Sequence, residues 1–140
     1  MDEKSLKVVI TGSRYWEDGD LIKKALQCYN IKTLIHGGAR GADSLADTVA
    51  KALNINVLVF EAEWDKYGTK AGPIRNRKML DQKPDLVIAF NTDLKHSSGT
   101  LDTVREALKR NIPVKLYELA GIEPKYLLSY EDLLNVMMET

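Results

Sequence analysis

The 140-residue sequence contains one cysteine, two histidines, four prolines and two tryptophans, and each scarcity closes off a class of protein. A lone thiol, Cys28, cannot form an intramolecular disulfide, so stability must come from a packed core. His36, His96 and one cysteine cannot assemble a structural zinc cluster, and the carboxylates follow no calcium-loop spacing. No metal and no cofactor is implied. Charge of one sign is lacking as well, because 20 Lys and Arg balance 20 Asp and Glu. No long-range field therefore draws the chain to duplex nucleic acid or an anionic membrane, and nucleic acid is not an expected partner. No apolar run approaches the roughly 20 residues of a membrane span, and Met1 to Ser5 lead into a strand without the apolar core of a signal peptide. A cytoplasmic protein that does not enter membranes is expected.

What is present is an ordinary globular composition, 44% hydrophobic and 29% charged, in a length that suits one domain burying about two-thirds of its unfolded surface. Residues 1–140 are read as a single domain. Five short apolar runs, Leu6 to Ile10, Thr33 to Ile35, Val57 to Phe60, Leu86 to Phe90 and Val114 to Tyr117, read as strands covered on both faces. Between them apolar residues recur at helical spacing: Leu21, Ile22, Ala25, Leu26 and Tyr29; Leu45, Val49 and Leu53; Leu101, Val104 and Leu108. A weaker helix begins at Gly72-Pro73, with Pro73 suited to the first position. Strict strand–helix alternation predicts an α/β fold: one Rossmann-like three-layer domain with a five-stranded, mainly parallel sheet and helices on both faces. Its core spans about residues 6–117. Ser129 with Asp132 predicts a capping box and an extra C-terminal helix over about residues 129–138.

Ligands of such sheets bind beyond the carboxyl ends of the strands. Seven of the nine glycines (12, 37, 38, 41, 68, 72 and 99) fall in the segments directly after strands, where a backbone must bend sharply or let a ligand approach. Gly37-Gly38-Ala39-Arg40-Gly41 runs into a helix beginning near Ala42, and Ser98-Gly99-Thr100 repeats the pattern with hydroxyls. Both bends are expected to offer amide hydrogens and the positive end of a helix dipole to an anion. Of six arginines, Arg14, Arg40, Arg75 and Arg77 lie in or just after these segments, and guanidinium forks suit phosphate oxygens. Residues 61–72 predict a long binding loop in which Trp64 or Tyr67 stacks on a base, unless Trp64 anchors the loop to the core. Asp43 either complements its helix dipole or binds a ribose hydroxyl. No Gly-x-x-x-x-Gly-Lys-Ser/Thr, no Gly-x-Gly-x-x-Gly and no Gly-x-Ser-x-Gly occurs, which removes P-loop nucleotidases, ordinary NAD dehydrogenases and α/β-hydrolases.

Gly12-Ser13-Arg14, Gly37-Gly38-Ala39-Arg40-Gly41-Ala42-Asp43, Ala71-Gly72-Pro73-Ile74-Arg75-Asn76 and Ser98-Gly99-Thr100 together resemble the YspA-like, cpYpsA-related branch of the SLOG superfamily, over about residues 6–117. That superfamily joins DNA-processing proteins to the Lonely Guy phosphoribohydrolases. The resemblance implies a Rossmann-like fold that binds nucleotides or nucleotide-derived ligands, in some members as sensors. Enzymatic members carry Pro-Gly-Gly-x-Gly-Thr-x-x-Glu, whose glutamate serves N-glycosidic hydrolysis. Here Thr103 holds the glutamate position, and Asp102 is one residue away, about 100° around a helix.

The expected function is therefore binding of a phosphoribose- or ADP-ribose-type ligand. Its expected contacts are Gly12, Ser13, Arg14, Gly37, Gly38, Arg40, Gly41, Asp43, Trp64, Arg75, Asn76, Ser98, Gly99 and Thr100. N-glycosidic hydrolysis or ribosyl transfer through Asp43 or Glu63 is an alternative, and single-stranded nucleic-acid binding is another. A homo-oligomer is expected on base rate alone.

Overall fold

The structure is a computed structural model that describes residues 4–139. Strands β1 (Leu6–Gly12), β2 (Ile31–His36), β3 (Asn56–Val59), β4 (Leu86–Phe90), β5 (Val114–Tyr117) and β6 (Lys125–Leu127) form one sheet in the order β3-β2-β1-β4-β5-β6. The first five run parallel, and β6 lies antiparallel on β5 through Val114↔Leu127 and Leu116↔Lys125. The sheet thus has six strands rather than five. β6 escapes sequence reading because three residues are too few to display any period.

Among the described residues six α-helices surround the sheet: α1 (Gly19–Gln27), α2 (Ala42–Ala52), α3 (Trp64–Tyr67), α4 (Ala71–Leu80), α5 (Ser98–Lys109) and α6 (Tyr130–Met138). Alternate side chains of the central strands feed two cores. Val8, Ile10, Leu34, Ile88 and Phe90 pack with Ile22, Leu26, Ala46 and Ala50 of α1 and α2. Val9, Ile35, Val87 and Ala89 pack with Met79, Val104, Ala107 and Leu133 of α4, α5 and α6. All five residues of β4 are buried, as a strand covered on both faces requires. Lys115 is buried too, its ammonium lying 4.9, 5.2 and 5.4 Å from the ring centres of Tyr29, Tyr117 and Tyr126. Those rings offer it their negative faces.

Two local expectations change. Residues 61–72 are not an unstructured loop: α3 and a 3-10 turn at Gly68–Lys70 lead directly into α4. Pro73 is the third residue of α4, not the first; its missing N–H still falls among the first-turn donors that lack an intrahelical partner. The Ser129–Asp132 capping box forms with both reciprocal bonds, and α6 begins at Tyr130. Among the described residues no helix is long and apolar enough to cross a membrane.

Candidate functional site

Strand order reverses between β1 and β4, whose neighbours β2 and β5 lie on opposite sides; this is where doubly wound sheets open a crevice. At that point Gly12 pairs with Phe90. A Cβ on Gly12 would lie 2.5 Å from the Phe90 carbonyl oxygen and 2.6 Å from Ala42 Cβ, so only glycine lets α2 close over the end of β1. Gly41 has φ +75° and sits against the Ser13 and Arg14 backbone, while the Ala42 amide donates to the Ser13 carbonyl at 3.0 Å. These contacts fasten the end of β1 to the start of α2.

Two adjoining hollows lie above the sheet. The smaller, about 350 Å³, is bounded by the loop after β1, by Asp43 and by the start of α5. The larger, about 720 Å³, is bounded by Gly37 and Gly38, Trp64, Pro73, Leu101 and Arg105. Arg14, Ala39, Arg75, Asn76, Ser98 and Gly99 line both. The two bends expected from the sequence therefore meet at one place.

Their hydrogen bonding differs from expectation. In the bend between β2 and α2, the Gly37 and Ala39 amides donate to Asp43 Oδ2 at 3.1 and 3.3 Å, and the Gly38 amide donates to His36 Nδ1 at 2.9 Å. An Nδ1 that accepts places the imidazole proton on Nε2, which meets Asp47 Oδ1 at 2.8 Å. Asp47 also holds Lys51 at 2.8 Å, and these bonds, Lys51 first, keep its carboxyl below the ordinary range. Arg75 Nη1 donates to the Gly37 carbonyl at 2.7 Å, and its Nε donates to Asn76 Oδ1 at 2.9 Å. The amides of Gly37, Gly38 and Ala39 are thus already claimed by the protein's own acceptors.

In the bend between β4 and α5, buried Asn91 does the fastening. It donates to Thr100 Oγ1 at 3.2 Å, and its Oδ1 accepts from the Asp93 amide at 2.8 Å and from Ser97 Oγ at 3.2 Å. With its hydroxyl turned that way, Ser97 does not cap the helix. Among the described residues, no acceptor meets the amides of Ser98, Gly99 and Thr100, and they stand where a helix of twelve residues begins.

Asp43 is the unusual group. It is 6% exposed, and while Oδ2 accepts two amides, Oδ1 has no partner and is shut off from solvent. Burial pushes its carboxyl above the ordinary value, against the lowering effect of the Ala39 amide, His36, Arg75 and the Gly37 amide. Burial also lowers the Arg75 guanidinium, which Asp43 opposes. Arg75 directs its bonded donors at Gly37 and Asn76, and no bond or ion pair joins it to Asp43.

The remaining expected residues divide. Ser13, Arg14, Asn76, Ser98, Gly99 and Thr100 bound the hollows. Trp64, 59% exposed, stands at the larger hollow instead of anchoring in the core. Arg40 faces a separate shallow depression with His36, Asp47 and Glu61, and Glu63, before α3, bounds neither hollow. Arg77 lies 3.7 Å from Asp102 and 3.4 Å from Glu106. Thr103 Oγ1 donates to the Gly99 carbonyl at 3.3 Å, and Asp102 accepts from Asn76 at 3.0 Å. Sequence reading passed over Asn91, Tyr15 and Arg105. An asparagine directly after a strand is an Asx-turn signal that could have found the first; Arg105, seven residues after Ser98, shares its helix face. Tyr15, 80% exposed at the rim, carries no such signal.

Residues 6–67 match the YspA, cpYpsA-related SLOG family. The Gene 61 protein of Mycobacterium phage D29 is 39% identical over 119 residues, covering 77% of this chain and 93% of that protein. The chain belongs to the YspA, cpYpsA-related SLOG family. The solved structure of DNA processing protein A (DprA) from Streptococcus pneumoniae superposes with a TM-score of 0.64 at 19% identity, covering 94% of this chain and 61% of that one. The likeness is one of fold, and the chain spans about three-fifths of that relative. Family membership and fold are compatible with nucleotide-related binding.

Proposed function

We propose that this SLOG domain binds a nucleotide or nucleotide-derived phosphate ester across the two hollows. The observation that carries the reading is the row of amides at Ser98, Gly99 and Thr100 that no acceptor among the described residues meets, with Ser98 and Gly99 in a wall common to both hollows and Thr100 in that of the smaller. A phosphate there would accept those amides and lie at the positive end of α5. Arg14, exposed and with no hydrogen bond or ion pair among the described residues, is free to turn onto it, while Arg75 keeps the opposing bend in place. The larger hollow offers an exposed indole, Leu101 and Pro73, an apolar wall for a base. Hydrogen bonds to charged groups contribute about 1.5–3 kcal/mol each, so three or four with one stacked base suffice for a ligand in the micromolar range, near −8 kcal/mol.

Titration calorimetry against nucleoside mono-, di- and triphosphates and ADP-ribose derivatives tests the reading. Binding tighter than millimolar is expected for at least one, and none across the panel overturns it. N-glycosidic cleavage is a second reading favoured by one observation, the buried carboxyl of Asp43 in the wall of the smaller hollow. Glu63 stands outside both hollows, and Thr103 cannot supply an acid. Release of free base from a nucleoside monophosphate, abolished by Asp43→Asn, would establish it. Binding without base release leaves the domain a binding module. Single-stranded nucleic-acid binding is a weaker reading, because zero net charge counts against an extended basic groove that tracks a backbone.

A further inference from the structure

We propose that anion binding in the smaller hollow is coupled to protonation of Asp43, so that the site takes up a proton as it fills and loosens as pH rises. The inference concerns regulation of the site just described and rests on its assignment to a phosphate ester. Asp43 and the start of α5 belong to the wall of the same hollow of about 350 Å³. Its lining combines three amides that no acceptor among the described residues meets with a carboxyl group that is 6% exposed.

The surroundings of that carboxyl are unusually poor in compensation. Two amides reach Oδ2 and nothing reaches Oδ1. No positive group among the described residues is ion-paired with it. From α4, Arg75 is bonded to Gly37 and Asn76. From β2, His36 accepts at Nδ1 and meets Asp47 through Nε2. From the loop after β1, Arg14 is exposed and free to follow an incoming anion. From the bend before α5, His96 is exposed and paired with Asp93 at 2.9 Å. A buried carboxylate without an ion-paired partner is costly, and burial already raises its affinity for a proton in the empty site. A phosphate brought into the same small hollow adds a second negative charge beside a carboxylate that burial already disfavours. Protonation of Asp43 removes that repulsion. Linkage then requires the reverse effect: protonated Asp43 binds the anion more tightly than ionised Asp43 by the same factor.

Asp43→Asn is the informative variant, because one amide oxygen can still accept from Gly37 and Ala39 while the charge is gone. The tightest nucleotide of the panel is titrated into wild type and variant from pH 5 to pH 8, in buffers of different ionisation enthalpy. Any proton taken up by the nucleotide's own phosphate is common to both proteins and cancels in the comparison. Wild type should take up more protons per ligand than Asp43→Asn, and its affinity should fall by about tenfold more over the range, the effect of a one-unit coupling. Equal proton numbers and parallel pH profiles would overturn the coupling while leaving nucleotide binding intact. Binding of no nucleotide by either protein removes the site assignment itself. Should Asp43→Asn not fold, His96→Gln replaces it, removing the imidazole that also lines the hollow: uptake beyond that of the nucleotide must persist, and its loss overturns the proposal.

Discussion

The bend from β2 into α2 and the bend from β4 into α5 carry similar sequences, small and glycine-containing runs that open directly into a helix, and they are wired in opposite senses. The first contains its own acceptors. Asp43 and His36 draw three of its amides inward, and Arg75 claims a carbonyl from across the cleft. The second is held from behind by Asn91, which leaves the amides at the start of α5 facing outward. The first turn of a helix leaves amides without intrahelical acceptors; a neighbouring carboxylate or imidazole decides whether amides at such a bend remain open. One bend thus has its amides bound within the protein, and the other leaves its amides without an acceptor among the described residues.

Substitutions that break this pairing should have graded effects. Gly12→Val drives a side chain into the Phe90 backbone and Ala42, beneath both bends, and should cost about 3 kcal/mol as overpacking against backbone that cannot retreat, read as a lower urea midpoint. Asn91→Ala should cost about 2 kcal/mol, since it leaves buried polar groups unmatched. It should also weaken nucleotide binding, a combination that distinguishes it from a simple core defect. Gly99→Asp separates binding from folding. Open space surrounds a Cβ there, and a carboxylate in the first turn of α5 should leave stability unchanged or raise it by about 0.5 kcal/mol. The same charge meets the proposed phosphate, so affinity should fall by about tenfold, or 1.4 kcal/mol. Unchanged affinity would mean that the second bend is not the anion face.

A smaller effect follows from Asp43. Its native pKa is raised above the unfolded value of 3.8, so the native state holds more protons and this contribution to stability is present at low pH and lost as pH climbs through the native value. The stability of Asp43→Asn relative to wild type should accordingly increase with pH, measured by denaturant melts at pH 4 and pH 7. The smallest effect is expected for Arg40→Ala. Because Arg40 faces away from both hollows, stability should change by no more than about 0.5 kcal/mol and nucleotide affinity should hold; a large loss would restore the first bend as a phosphate site.

Much of the architecture was legible because burial on both faces demands continuous apolar strands, and helices on a sheet demand a 3.6-residue stripe. Leu86 to Phe90 and the Leu101–Val104–Leu108 stripe carry those signals directly. Lys125 to Leu127 carries none, since its place on the sheet depends on β5 alongside it. At the site, glycine positions and arginine clustering marked segments that the fold gathers around the two hollows. They did not distinguish Arg75, which braces a loop, from Arg14, which stands free, or Arg40, which turns away.

By itself the amino-acid order determined which segments become strands and helices, that their bends collect at one end of a parallel sheet, and which family motifs those bends contain. Those properties follow from spacing along the chain. Only the tertiary structure decided that Asp43 would occupy the amides of one bend, that Asn91 would leave those of the other unclaimed, and that Trp64 would stand exposed beside them. Such outcomes depend on which acceptors arrive within hydrogen-bond distance from elsewhere in the fold, and that proximity is created by packing rather than by local sequence.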